Sequence, residues 1–223
     1  MKRVHIICEG QTEETFVNEL LVDHLVHFGV VTQAAKVGKP GHKGGFISTE
    51  RMRYDIKLRL LQDSSSYCTT FFDFYGLDPK FAGRKEALQE PTIDEKASII
   101  EAALKEVIVD ATDDNAVRRF IPYVQMCEFE GLLFSDASKL ASGLGATDLE
   151  TDFLNIRQSF GSPEEINDSR ETAPSKRLLS LMSTYEKTLY GSLAALEIGL
   201  DVMRRECKRF DRWITQMENL GAR

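Results

Sequence analysis

Four short apolar segments alternate with stretches of helical periodicity up to Phe134, and no strand pattern occurs after it. Strands separated this widely do not pair as hairpins. Parallel neighbours need a crossover of a dozen or more residues, usually a helix. The pattern therefore predicts an α/β fold with a mostly parallel four-stranded sheet flanked by helices. Arg3 to Cys8 is the first strand, a β-branched run broken by Gly10. Val30 to Val37, Cys68 to Phe74 and Phe120 to Cys127 are the others. Pro122 sits at the start of the last one, where a strand tolerates it better than in its middle.

The helices carry their own punctuation. Thr12 caps the first, with Glu13 and Glu14 in the turn where the helix dipole favours acids. Phe16, Leu20, Leu21, Leu25 and Phe28 form its apolar face, and Gly29 stops it. Ser48 opens a second helix to about Gln62. Thr92 and Glu95 make a capping box for a third, which runs to about Val109. Beyond the strands, helices are predicted near 136–143, 147–158, 174–188, 192–198 and 201–220. Residues 1–136 thus read as an α/β core, and 137–223 as a helical extension packed on it in a single compact unit.

Charge narrows the function. With 28 basic and 35 acidic side chains the net charge is −7, the wrong sign for a protein that coats nucleic acid through bulk charge. A phosphate-bearing substrate must be met by a local site. No apolar run is long enough to span a bilayer, and Glu9 comes too early for a signal peptide, so the expected location is the cytoplasm. Cys8, Cys68, Cys127 and Cys207 form no CxxC pair, which argues against a zinc ribbon and for buried, reduced thiols.

The acids fall in a pattern. Glu9 follows the first strand, Asp73 closes the third, and Glu128 and Glu130 follow the fourth. In an open parallel sheet ligands bind beyond the carboxyl ends of the strands. Three segments therefore deliver carboxylates to one edge. Converging carboxylates repel unless a cation joins them, and hard oxygen donors favour Mg²⁺ or Mn²⁺. A common ion would need the carboxylates of Glu9, Asp73 and Glu128 within about 4–7 Å of one another. Each acid taken alone also reads as an ordinary polar loop start.

Four blocks carry a family resemblance: Cys8 to Glu13, Thr69 to Leu77, Ile121 to Phe134, and Glu165 to Arg177, with Ile198 to Leu200, Arg204, Cys207 and Trp213 near the end. They resemble a family of Toprim-like prokaryotic proteins often encoded beside AAA- or ABC-type ATPases. The resemblance implies the sheet of topoisomerase, primase and overcoming-lysogenization-type nuclease centres. There a Glu after the first strand acts as acid/base or metal ligand, and an Asp-x-Asp pair binds Mg²⁺. Glu9 matches the first position and Asp73 the first Asp. Tyr75 stands at the second Asp, and Cys127 stands where the family pattern has His. The resemblance further implies defence against mobile DNA with an ATPase partner, and a homo-oligomer is open.

Two segments supply positive charge. One is the glycine-rich loop from Gly38 to Gly45, with Lys39, His42 and Lys43, continuing through Arg51 and Arg53. The other places Lys176 and Arg177 just after Pro174, at a helix start, where the dipole disfavours cations and an anion partner would explain them.

These features combine into one expectation, a Mg²⁺- or Mn²⁺-dependent nuclease. Glu9, Asp73 and Glu128 hold the metal, and Glu9 or Glu130 takes a proton. Lys176 compensates transition-state charge, while Lys43, Arg53, Tyr75 and Arg177 meet the substrate. At most one tightly held metal is expected, because Tyr75 cannot replace a carboxylate. The alternative is a non-catalytic module that binds a protein partner or nucleic acid.

Overall fold

In a computed structural model, which describes residues 1–38, 46–166 and 172–222, the first strand β1 (Lys2–Cys8) takes an inner place in the sheet. It is flanked by β2 (Val30–Lys36) and β3 (Tyr67–Asp73), both parallel to it. Two short strands, β4 (Phe120–Ile121) and β5 (Val124–Gln125), both pair in parallel with β3 on its far side. The fold is α/β, with a parallel sheet flanked by helices and a helical C-terminal part.

The last strand was expected to be continuous, and it is split in two. Proline lacks the N–H a ladder needs, and pairing stops at Ile121 and resumes at Val124. The Thr70 hydroxyl fills the gap. It donates to Tyr123 O at 2.7 Å and accepts from Tyr123 N–H at 3.2 Å.

Helices cover both faces. Gly10 is the N-cap of α1 (Gln11–Phe16), which continues through a π turn (Val17–Leu21) into α2 (Val22–Val26). Thr12, expected as the cap, lies inside the helix and is buried. Phe28, expected on the apolar face, lies beyond the helix end and is exposed. Then follow α3 (Thr49–Gln62), α4 (Arg84–Ala87), α5 (Ile93–Val109) and α6 (Asp114–Arg118). Ser48 caps α3, and Thr92 with Glu95 forms the capping box of α5, both as expected. After β5 come α7 (Phe129–Leu133), α8 (Ala137–Gly143), α9 (Glu150–Gln158) and α10 (Pro174–Leu181). The chain ends in α11 (Ser192–Ile198), α12 (Leu200–Glu206) and α13 (Lys208–Gly221).

Two expected helices are interrupted. The segment read as 174–188 leaves the helix after Leu181 and re-forms as a π turn at Lys187–Gly191. The segment read as 201–220 breaks at Cys207, whose backbone is not helical. Both breaks matter for the site.

Successive strand residues face opposite sides, so Phe71 and Phe72 belong to different cores. Phe71, Val4 and Ile6 pack with Phe210, Trp213 and Ile214 of α13. Phe72 and Ile7 pack with Met52, Ile56 and Leu60 of α3 and with Ile100 and Leu104 of α5. A sheet buried on both faces explains the continuous apolar runs of the sequence. Trp213 stacks on Tyr123 at 4.5 Å, and its indole N–H donates to Thr69 Oγ1 at 2.8 Å. Among the described residues no helix is long and apolar enough to cross a membrane.

Candidate active site

Parallel register brings the strand ends to one edge. Cys8 lies opposite Phe71, and Glu9 N–H donates to Phe71 O at 3.2 Å. Two residues further along β3, Asp73 N–H donates to Glu9 Oε2 at 3.0 Å. On the other side Asp73 lies opposite Gln125. The chain then turns into α7, with Glu128 at its N-cap, and Phe129 N–H points at Asp73 Oδ2, 3.3 Å away. Glu130 follows in the first turn and is fully buried. A fifth acid, Glu13, comes from the first turn of α1 and is buried too, its Oε2 accepting from Gly10 N–H at 2.9 Å.

One cation enters this cluster. The Lys187 ammonium lies 3.3 Å from Glu13 Oε1, 3.6 Å from Asp73 Oδ2 and 3.2 Å from Glu130 Oε2. Its side chain keeps 37% of its surface exposed, so it reaches the acids from the solvent side. Tyr185 donates its hydroxyl to Glu130 Oε1 at 3.5 Å. Asp73 Oδ1 is buried with no hydrogen-bond partner, and Glu13 Oε1 and Glu130 Oε2 meet the ammonium without forming a hydrogen bond. Among the described residues no three His, Cys, Asp or Glu side chains are grouped so as to hold a metal ion.

Burial and mutual repulsion decide protonation. Burial, then the charge of Glu13, lifts the Glu9 carboxyl to about 7, against the Asp73 N–H bond that favours its ionised form. Burial also pushes Asp73 well up and raises Glu130, in both cases with Lys187 opposing. For Lys187 burial works the other way, but Asp73, Glu130, Glu13 and Glu9 together outweigh it and keep the ammonium charged.

The structure brings together Glu9, Asp73 and Glu130. Glu128 flanks them, close enough for its charge to raise Glu9, and its Oε2 accepts from Ser175 N–H at 2.9 Å. The segment beginning at Pro174 therefore docks at the carboxylate edge, but by a backbone N–H. The Lys176 side chain is exposed and forms no ion pair among the described residues. Arg177 turns toward the Phe160 ring and donates to Thr172 O at 2.7 Å. The first-turn N–H of α10 faces Glu128, and the next side chain is exposed.

Tyr75 sits in a 3₁₀ turn (Phe74–Gly76) directly after Asp73, half-buried. Arg53 is exposed on α3, with no contact to the acids. Lys43, with Lys39 and His42, lies outside the described residues. Cys127 takes no base role, because burial pushes its thiol well up and Gln125 donates to its sulfur at 3.1 Å. The sequence reading missed Lys187 and treated Glu13 as a dipole residue. Glu13 closes the Glu9-Gly10 turn, and its three-residue spacing from Gly10 is the signal that was there to use. No local signal marks Lys187, because its role depends on the break after Leu181.

Residues 8–218 match the family described as "Domain of unknown function (DUF4276)". The chain belongs to this DUF4276 family. No curated protein matches the DUF4276 chain significantly. It is similar to the C-terminal region of the Xanthomonas campestris pv. campestris OLD protein. With the iodine-phased structure it shares 18% identity and a TM-score of 0.44, over 100% of this chain and 97% of that one. With the platinum-phased structure the figures are 17%, 0.44, 99% and 94%. A likeness this distant assigns no role to any residue of the DUF4276 chain.

Proposed function

We propose that this chain is a Toprim-like, metal-dependent nuclease that hydrolyses phosphodiester bonds. One observation carries the reading. Acids from three strand ends meet at the carboxyl edge of a parallel sheet, and one of their oxygens, Asp73 Oδ1, is buried with no partner. Such an arrangement is costly unless it serves a ligand.

The donors fit a hard divalent cation in kind, being carboxylate oxygens, and Asp73 Oδ1 among them lacks a hydrogen bond. Glu9, Asp73 and Glu128 would hold Mg²⁺ or Mn²⁺, with Glu130 beside them. Bound there, the ion supplies a polarised phosphate and an acidified water. The chain's own groups do the rest. Glu9, lifted to about 7 in the metal-free site, is the acid placed to accept a proton near neutral pH where the ion does not hold it. Lys187 lies at the solvent side of the acids and offsets negative charge that builds on a phosphate there. Ser175 N–H holds Glu128 in place. The family resemblance extends the proposal to a cytoplasmic defence role beside an AAA- or ABC-type ATPase.

A second reading has its own support. Lys187 already neutralises part of the cluster, and Tyr75 stands where a second Asp is expected, which suits a non-catalytic binding module. Incubation of the chain with labelled DNA and RNA in Mg²⁺ or Mn²⁺ tests the first reading. Cleavage that is abolished in Asp73→Asn and Glu9→Gln supports it. No cleavage with either metal leaves the binding module.

A further inference from the structure

A cleft of about 800 Å³ opens beside the carboxylate edge, with Tyr75 in its wall. Its other walls are the entry to α5 from Pro91 to Lys96, residues 161–165, and the junction of α12 and α13 from Glu206 to Arg212. The cleft and the acids meet at one short turn. Tyr75 is two residues from Asp73, and its neighbour Gly76 lies against the Glu9 carboxylate.

The charges in the cleft are unequal in what they have left to offer. All four acids that line it are engaged. Glu164 accepts from the backbone N–H groups of Arg209 and Phe210, at 3.0 Å each. Glu165 accepts from Gly161 N–H at 3.0 Å, and Glu206 pairs with Arg157 and Arg205. Asp94 is shared by Arg209 and Arg212. Two of the four cations that line it are not used up. Lys96 and Lys208 form no ion pair among the described residues. Arg209 is held by Asp94 and Glu101, and Arg212 by Asp94, so these two add walls and not donors. The free donors of this cleft are thus cationic, in a protein of net charge −7. Tyr75, Pro91 and Ile93 add an aromatic and apolar surface.

We infer that this cleft binds a nucleotide unit of single-stranded nucleic acid and leads the adjacent phosphodiester to the carboxylate edge. Lys96 and Lys208 take the phosphate, and Tyr75 gives the base a face to stack on, the pairing of cationic groove and aromatic platform that single strands use. A cleft of this volume accepts a splayed nucleotide. It does not accept a stacked duplex, whose base faces are out of reach of a side chain in its wall. The inference deepens the nuclease reading and rests on it for the site it serves.

Fluorescence anisotropy with labelled oligodeoxyuridylate and oligouridylate of about a dozen nucleotides tests it, on the full chain in EDTA so that cleavage plays no part. Both the double variant Lys96→Glu/Lys208→Glu and Tyr75→Ala are expected to fold with wild-type thermal midpoints. The double variant should bind at least about tenfold more weakly, with a smaller salt slope, and Tyr75→Ala should lose about five- to tenfold from stacking. Lys105→Glu, on the exposed far part of α5, should bind as wild type. Whichever oligomer binds more tightly names the sugar. Wild-type binding by the double variant, no binding of either oligomer, or equal competition by a blunt duplex overturns the inference. Because no metal is present, these outcomes are independent of whether the chain cleaves.

Discussion

The ammonium of Lys187 stands 3.2 Å from Glu130 Oε2, a carboxylate with no solvent exposure, and the two come from elements more than fifty residues apart. The same ammonium reaches Asp73 and Glu13. The break after Leu181 lets the chain turn back and place this lysine over the acids. An uninterrupted helix from 174 to 188 would carry it away along the α10 axis.

Lys187→Met removes the charge and keeps the length of the side chain. Breaking a buried pair costs about 3–5 kcal/mol when the remaining charge has no partner. Here the ammonium is partly solvated, and burial already favours protonated Asp73 and Glu130. We expect a loss on the order of 2–3 kcal/mol at pH 8 and a smaller one at pH 5, where the acids take up protons instead. Urea denaturation at both pH values measures it. Mn²⁺ should recover part of the loss at pH 8, and an equal loss at both pH values contradicts this account.

Cleavage should separate the two lysines. Lys176 is exposed and unpaired among the described residues, so Lys176→Ala is expected to stay within about twofold of wild type, as surface changes do. Lys187→Ala removes a donor positioned at the acids. It should cost ~2–4 kcal/mol of transition-state stabilisation, roughly thirtyfold to a thousandfold in rate. The comparison is made in single-turnover assays on variants matched for folded fraction. The opposite ranking restores Lys176 to the site.

The sheet and its acidic edge were legible because strand ends are local features. A run that stops at Glu9-Gly10 and another that stops at Asp73 declare their own edge once the strands are parallel. Glu128 and Glu130 followed from the same logic. Pro122 announced a weak point, but the repair by the Thr70 hydroxyl depends on a neighbouring strand and has no sequence signature. The basic partner was assigned to Lys176 because Pro174 made a visible helix start. Lys187 sits in a stretch with no such mark, and only the tertiary packing of the turn at Lys187–Gly191 against α1 and α7 brings it in. Position along the chain reveals strand ends, but not which distant side chain covers them.

Glu9→Gln should change how stability depends on pH. The folded carboxyl is raised from 4.5 to about 7, so between those values the native state holds a proton the unfolded chain has lost. Stability from this group therefore rises as pH falls through about 7 and levels off below about 4.5. The full penalty is present above 7, with a ceiling on the order of 3 kcal/mol. Glutamine can still accept the Asp73 N–H and carries no charge. The variant should be more stable than wild type at pH 8, and the advantage should shrink toward pH 5. Chemical denaturation at four pH values gives both curves, and parallel curves would mean that Glu9 titrates as an ordinary surface acid.

Gly76→Ala tests how tightly the Glu9 carboxylate is held. A Cβ on Gly76 would lie 2.3 Å from Glu9 Oε1 and 2.5 Å from Oε2, so something must move. Gly76 is not among the glycines with positive φ, so the cost comes from the close approach and not from backbone strain. The backbone here is tied down, with Gly76 O accepting from Ile47 N–H at 3.1 Å. Glu9 is then the group that shifts, and it loses its bond to Asp73 N–H. Losing a hydrogen bond to a charged group costs about 1.5–3 kcal/mol. Under the proposed function cleavage should fall more than tenfold, because the proposed proton acceptor has left its place. A double-mutant cycle isolates the cause. In a Glu9→Ala background the three atoms nearest the methyl group are gone, and Gly76→Ala should then cost much less in stability. Equal costs in the two backgrounds would put the clash in the turn itself and free Glu9 from it.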